Sequence, residues 1–181
     1  GMPAISDPGA DLASLAAANG IEVSVIPGPS AVTAALSISG LDTRYFHFEG
    51  FLPSEGSKRR ERLKALTLIG ETIVLYEAPH RLKKLLDELV ETGFADSRIA
   101  LCRELTKKYE EVLRMTVSEA VEYYKTNEPR GEFCICLEPL EQKTMVAAGD
   151  GAELIALLKA KGMSSKDIAS VVSEYTGMNK K

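Results

Sequence analysis

The chain has 181 residues, with 22 Lys and Arg against 26 Asp and Glu for a formal charge of −4, and 45% of its residues are apolar against 27% charged. That balance suits one soluble domain with a real core and a small appendage, and it excludes a collagen, a coiled coil or a disordered tail. The slightly acidic sum argues against bulk electrostatic capture of nucleic acid, so an RNA partner would have to meet a local basic patch or a neighbouring subunit.

After the opening Gly1-Met2, Asp7-Pro8 offers an N-cap with proline in the first helical turn, and a helix is predicted to about Ala18, stopped by Asn19-Gly20. Glu22–Ile26, rich in Val and Ile, reads as a short strand that ends at Pro27-Gly28-Pro29-Ser30. Ser30 can cap a second helix through about Ser37, which Gly40 closes. Tyr45, Phe46, Phe48 and Phe51 mark an extended segment to Leu52, and a charged helix follows over Lys58–Leu66.

Thr72–Tyr76 is a buried-strand pattern broken by Glu77-Ala78-Pro79-His80-Arg81, after which Leu82, Leu85, Leu86 and Leu89 repeat at helical spacing. Strands are predicted at Arg98–Arg103, Glu110–Met115 (an edge or antiparallel strand) and Glu132–Leu137, with a helix at Val117–Tyr124. Helices interleaved with apolar strands indicate an α/β fold around a mixed sheet, because each such strand needs cover on both faces. Pro139–Asp150 is polar and without period and reads as a linker. Beyond it, Leu154, Ile155, Leu157 and Leu158, then Ile168, Val171 and Val172, predict two amphipathic helices, the second capped from Ser164. This hairpin resembles a helix-turn-helix.

Cys102, Cys134 and Cys136 all fall in strand-like runs, too few for a disulfide framework, and read as small buried hydrophobes in a reducing compartment. No His or further Cys lies close in sequence to complete a metal site, so no metal is expected. No apolar run reaches the roughly 20 residues of a membrane span, and the N-terminus lacks the pattern of a signal peptide, so the expected location is cytoplasmic.

Four loops stand at strand ends or helix starts, where ligands of open α/β sheets sit: Ile5–Gly9, Pro27–Ala31, Glu77–Arg81 and Glu104–Glu111. Pro27-Gly28-Pro29-Ser30-Ala31 supplies a tight turn and helix N-terminal amides for a carboxylate or ribose hydroxyl, or is a mere connector. His80 could serve as general base or phosphate ligand, or as a structural cap. The mixed charges of Glu104–Glu111 equally suit a self-neutralising loop. Lys58, Arg59, Arg60, Arg62 and Lys64 form one basic patch. It could meet RNA phosphates with Tyr45, Phe46 and Phe51 stacking nearby, or be a solvated helix face with those aromatics in the core.

Six ordered blocks carry a family resemblance: Pro3-Ala4-Ile5-Ser6-Asp7-Pro8-Gly9, Ile26-Pro27-Gly28-Pro29-Ser30-Ala31, Phe48-Glu49-Gly50-Phe51-Leu52-Pro53, Tyr76-Glu77-Ala78-Pro79-His80-Arg81, Arg103-Glu104-Leu105-Thr106-Lys107 and Gly131-Glu132-Phe133. Together they resemble the ribosomal RNA small-subunit 2′-O-methyltransferase I family within the tetrapyrrole-methylase superfamily. The resemblance implies methyl transfer from S-adenosylmethionine to a cytidine ribose of small-subunit (16S) rRNA, by a homodimeric two-lobed protein acting on the rRNA or the 30S ribosomal subunit. It implies cofactor contacts from Pro27, Gly28, Pro29, Ser30, Ala31, Tyr76, Glu77 and Ala78, catalytic roles for Glu77, Glu104 and Lys107, and RNA contacts from Lys58, Arg59, Arg60, Arg62, Lys64, Arg81 and Lys107.

Full-length members carry a further N-terminal lobe, so the resemblance implies an N-terminally truncated, incomplete and inactive form. Residues 1–28 would be a remnant of that lobe, 29–138 the C-terminal α/β lobe, 139–150 a linker and 151–181 the hairpin. A tetrapyrrole or cobalamin-precursor methylase, or a non-catalytic RNA-binding or dimerisation fragment, are the alternatives.

Overall fold

The computed structural model describes residues 1–141 and 151–176, in two units, 1–140 and 141–181. In the first unit, five strands form one mixed sheet: β1 (Phe46–Phe51), β2 (Thr72–Glu77), β3 (Arg98–Arg103), β4 (Glu111–Thr116) and β5 (Phe133–Leu137). Their spatial order is β1-β2-β5-β3-β4, with β1 and β2 parallel and every other pair antiparallel. The direction of β5 therefore opposes that of β1, β2 and β3, whose carboxyl ends share one edge of the sheet with the start of β5.

Side chains of a strand alternate between faces, and here the alternation sorts the core by size. Ile73 and Leu75 of β2, Ile99 and Leu101 of β3, and Ile135 and Leu137 of β5 join Leu82, Leu85, Leu86 and Leu89 in a layer of large side chains. Those four leucines are the apolar stripe of α4 (Pro79–Leu89), which has proline in its first turn. Each is fully buried, contributing about 1.5–3 kcal/mol. The same layer takes in Val117, Ala120 and Tyr124 of α5 (Val117–Thr126) and Leu63 and Leu66 of α3 (Gly56–Leu66).

The opposite face carries small residues, Val74, Ala100, Cys102, Cys134 and Cys136, and receives Val32, Ala35 and Leu36 of α2 (Ala31–Ser39). Small side chains on both partners let the α2 backbone approach the sheet, and Cys134 Sγ lies 3.5 Å from the Ala31 carbonyl oxygen. Burial pushes the thiols of Cys102 and Cys136 up to about 11 and about 12, and that of Cys134 up as well. All three are free and buried, as their positions in strand runs led us to expect.

Two local expectations are corrected in the N-terminal thirty residues. Helix α1 (Ala10–Ala18) starts after Gly9, not at Asp7-Pro8: Ser6 and Gly9 both have positive φ, 53° and 123°, and the chain turns there before helical geometry begins. Glu22–Ile26 is not a strand. Its β-branched residues find no neighbouring strand, and Val23, Val25 and Ile26 are 55%, 69% and 89% exposed; strand propensity expresses fit to a pleated, half-buried surface, which is lacking here.

In the second unit, α6 (Gly151–Ala160) and α7 (Ser165–Thr176) pack on each other, with Ile168 and Val172 buried. Ser164 caps α7 through its Oγ, which accepts from Asp167 N–H at 3.3 Å. The linker expected over Pro139–Asp150 falls largely on residues 142–150, outside the described residues.

Candidate active-site cleft

Four loops meet at the shared sheet edge, where three strands end and two, β4 and β5, begin. They enclose a cleft of about 640 Å³ lined by Ile5, Ser6 and Asp7, by Pro29, Ser30 and Ala31, by Phe51 and Tyr76–His80, by Glu104, Leu105 and Lys107, and by Glu132 and Phe133. Its floor is the small-residue face of the sheet, Cys102 and Cys134. Of the Pro27–Ala31 loop, Pro29, Ser30 and Ala31 face the cleft; Pro27 and Gly28 stand outside its lining, where Gly28 N–H meets Met2 Sδ at 3.1 Å.

The N-terminal segment forms part of the wall through two close approaches. Met2 N–H donates to the Pro29 carbonyl at 2.9 Å. Ser6 Oγ lies 2.5 Å from where a Cβ on Gly50 would stand, and Gly50 has φ 70°, so glycine alone admits this packing. Phe51, half exposed, tilts over Tyr76 with ring centroids 5.4 Å apart, and Phe48 meets the same ring edge-on at 5.2 Å. The Tyr76 hydroxyl is pushed up by burial, with a backbone N–H bond from Val32 working against it.

Two clusters of charge flank this aromatic pair. One is buried: Arg59 donates to both Glu88 carboxylate oxygens, at 3.1 and 2.8 Å through Nε, and to the Pro53 carbonyl at 2.8 Å. Its Nη1 stands 4.0 Å from Glu77 Oε2, while Arg81 Nε is 3.0 Å from Glu77 Oε1 and Arg81 Nη2 donates to the Leu52 carbonyl at 2.6 Å. The Glu77 side chain has no accessible surface. Burial raises its carboxyl above the ordinary value, opposed by the Ala78 N–H and by Arg81 and Arg59. Glu77 thus borders the cleft without exposing its carboxylate.

The second cluster is at the cleft mouth. Glu104 Oε1 accepts from Glu132 N–H at 2.9 Å and from Lys107 Nζ at 3.0 Å, and Lys107 also donates to Glu132 Oε2 at 2.8 Å. The Glu132 backbone bond, then Lys107, hold the Glu104 carboxyl below its ordinary value. Glu132, then Glu104, hold the Lys107 ammonium above its own. Glu104 and Thr106 carry positive φ, 49° and 64°, unusual for residues with a side chain.

The basic patch is corrected by this geometry. Arg59 is 2% exposed and belongs to the buried network, not to an RNA-facing surface; it shares one helical face with Leu63 and Leu66, a spacing that the charge run concealed. Arg62 pairs with Glu49, whose second partner is His47 at 3.0 Å, and Arg81 is turned inward to Glu77 and Leu52. Lys58, Arg60 and Lys64 remain exposed. The nearby aromatics lie outside the core: Tyr45, Phe46 and Phe51 are 75%, 45% and 51% exposed. Glu132 and its glycine neighbour Gly131 were visible as a sequence block but carried no assigned role; only the fold brings them, just ahead of β5, to Glu104.

Among the described residues no group of three His, Cys, Asp or Glu could hold a metal ion, and no helix is long and apolar enough to cross a membrane. Residues 1–121 match the family model for tetrapyrrole (corrin/porphyrin) methylases. The chain is 46% identical over 138 residues to a ribosomal RNA small subunit methyltransferase I of Halalkalibacterium halodurans, covering 76% of this chain and 47% of that one. It is 40% identical over 184 residues to the protein of that name from Xylella fastidiosa strain Temecula1, covering 100% of this chain and 67% of the relative. It therefore spans about half to two thirds of the length of the curated relatives it matches.

Among solved structures, the methyltransferase CobJ superposes with TM-score 0.59 at 16% identity, over 77% of this chain and 62% of that one. The uroporphyrin-III C-methyltransferase of Thermus thermophilus, complexed with S-adenosyl homocysteine, gives TM-score 0.53 at 17% identity, over 75% and 62%. These share the fold, while the closer sequence agreement lies with the ribosomal RNA proteins. By its sequence blocks, its mixed sheet and these relatives, the chain belongs to the tetrapyrrole methylases, in the ribosomal RNA small subunit methyltransferase I family.

Proposed function

We propose that this chain is part of an enzyme that methylates a ribose 2′-hydroxyl of a cytidine in small-subunit rRNA with S-adenosylmethionine, acting as a cytoplasmic homodimer. The observation that carries the reading is the meeting of all six family blocks around one cleft at the carboxyl ends of the strands, where ligands of α/β sheets bind. The names of the relatives supply the substrate class.

The residues present fit such a cofactor. A cleft of 640 Å³ is within the range of small-molecule sites, and its walls combine an aromatic pair, apolar Pro29 and Ala31, and the start of α2. Ser30 makes no side-chain cap bond there, which leaves first-turn amides of α2 to other acceptors. When bound, the cofactor supplies an electrophilic methyl group on a sulfonium. Pro29, Ser30, Ala31, Tyr76 and Ala78 would hold it, Glu77 stiffening the wall from behind. The remaining task is to align the ribose oxygen, remove its proton and steady the charge that develops on it. Lys107 donates hydrogen bonds at the cleft mouth and suits the last of these tasks, or the grip on an adjoining phosphate. Lys58, Arg60 and Lys64 would meet the RNA backbone without reading sequence.

A second reading has an observation in its favour. Leu12, Leu15, Ile21, Val23, Val25 and Ile26 are all more than half exposed, which suits a dimerisation or RNA-binding fragment whose apolar flank awaits cover.

The deciding assay joins this chain to the remaining length of its relatives and offers labelled S-adenosylmethionine with undermethylated small ribosomal subunits beside a tetrapyrrole. Label is expected in the RNA alone; label in the tetrapyrrole alone would overturn the assignment. Calorimetry on the 181-residue chain itself is expected to give weak or undetectable cofactor binding. Within the complete protein, Lys107→Ala is expected to lower the methylation rate far more than cofactor affinity, with Lys108→Ala as the control. Equal small effects would return the segment to an ordinary charged loop.

A further inference from the structure

The cluster at the cleft mouth is built with unusual stringency for a surface feature. Gly131 has φ 74°, and a Cβ on it would stand 2.7 Å from Glu104 Cδ and closer still to Cγ. The Glu104 side chain therefore fills the space that any other residue at position 131 would claim. Its backbone, at φ 49°, is in a region that costs a residue with a side chain, and the contacts that hold it there are the Glu132 N–H and Lys107. Glu104 N–H in turn donates to the Glu132 carbonyl at 3.0 Å, so β5 and the loop after β3 are tied by a reciprocal pair of bonds. Lys107 N–H donates to the Glu104 carbonyl at 3.0 Å, which closes the turn that carries the lysine.

We propose that Glu104, pressed against Gly131, is a positioning residue, and that with Glu132 it holds Lys107 as a fixed cation aimed at an oxyanion in the cleft, a phosphodiester oxygen or the oxygen that loses its proton. Neither Glu104 nor Lys107 is then the proton acceptor. The geometry supports this on both sides. Glu104 Oε1 accepts two hydrogen bonds, one from an ammonium, which favours the ionised carboxylate, and Lys107 is bracketed by two carboxylates, which stabilise an ammonium and would offer the lone pair of a neutral amine no donor. The directions of their titration agree, the carboxyl lowered and the ammonium raised. Lys107 remains about half exposed, so one donor direction is available to a ligand even with both carboxylates engaged.

This inference rests on the proposed methyl transfer, and its test separates the two. In the complete protein, Glu104→Gln keeps the shape and an acceptor for Glu132 N–H but removes the charge. It is expected to lower kcat by about tenfold or more, the size of one charge-assisted hydrogen bond, with KM for the cofactor within about twofold. In a Lys107→Ala background the same substitution is expected to cost nothing further. An equal loss in both backgrounds, or full activity of Glu104→Gln, would overturn the proposal, the first because it marks a merely structural role. On the chain described above, a carbon NMR titration of the lysine Cε atoms is expected to put Lys107 above the ordinary lysine range and to bring it back in Glu104→Gln and in Glu132→Gln. Ordinary titration of Lys107 in the unsubstituted chain would overturn the clamp. If the complete protein methylates no RNA, the methyl-transfer reading fails while the titration still decides the clamp.

Discussion

The two charge clusters beside the cleft use the same residue types to opposite ends. In the buried one, Arg59 and Arg81 surround Glu77 and Glu88, tie α3, α4 and the end of β2 together, and leave Glu77 Oε2 without a hydrogen bond. In the other, Glu104, Glu132 and Lys107 face water and the cleft. Burial makes the first a framework whose members cannot be removed singly, because a lost partner strands a charge away from solvent. Exposure makes the second cheap to alter for stability and informative for binding. A run of charges in a sequence distinguishes neither case; the helical face on which each falls does.

The sharpest way to break the comparison is Arg59→Ala. It takes from Glu88 its arginine partner, leaves Glu77 with Arg81 alone and frees the Pro53 carbonyl, and a loss of about 3–5 kcal/mol is expected in chemical denaturation. A loss no larger than that of Arg60→Ala would mean that the inner network is as dispensable as a surface pair.

Gly131→Ala is next in size. The added methyl group meets Glu104 at a φ that disfavours it, and a loss of about 1–3 kcal/mol is expected, with Lys107 released from Glu104. Unaltered stability together with an unaltered Lys107 titration would show that the close approach relaxes freely.

The pH dependence sharpens the contrast by sign. Glu77 is raised in the folded state, so its contribution to stability is fully present below the unfolded value near 4.5 and is lost as pH rises through the folded value. Glu104 is lowered, so its contribution is present above 4.5 and is lost as pH falls through its folded value. Stability measured against pH for Glu77→Gln and Glu104→Gln, each subtracted from the parent, is expected to give slopes of opposite sign. Slopes of the same sign would remove the distinction.

The smallest effect is at the outer helix face. Charge reversal of Lys58, Arg60 and Lys64 is expected to leave stability within about 0.5 kcal/mol and to weaken RNA binding by the complete protein, with a flatter salt dependence. An unchanged salt slope would assign the face to solvent alone.

Much of the fold was legible because local pattern and burial agree. The runs Thr72–Glu77, Arg98–Arg103 and Phe133–Leu137 are apolar on both faces, and they became the three central strands; the leucines of α4 announced their stripe. Glu22–Ile26 misled because its residue types favour a sheet that supplies it no neighbour. The loops of the cleft were legible as a set, since Gly, Pro and mixed charge at strand ends mark places where ligands can enter. Their internal chemistry was not. Whether Arg59 points to water depends on its registration with Leu63 and Leu66, and Glu132 reaches Glu104 only through the antiparallel pairing of β5 with β3.

The small-residue face beneath α2 has a practical consequence. Cys102 and Cys134 are directly opposed across β3 and β5, Cys136 lies two residues along the same face, and all three thiols are buried and hard to ionise. Cys102 and Cys134 border the cleft, but Cys136 does not. A pulse of alkylating reagent therefore reacts with Cys136 only while α2 stands off the sheet, and the extent of its modification against time becomes a clock for that opening. The same helix begins at the cleft wall with Ala31, so the clock also times how often that wall moves.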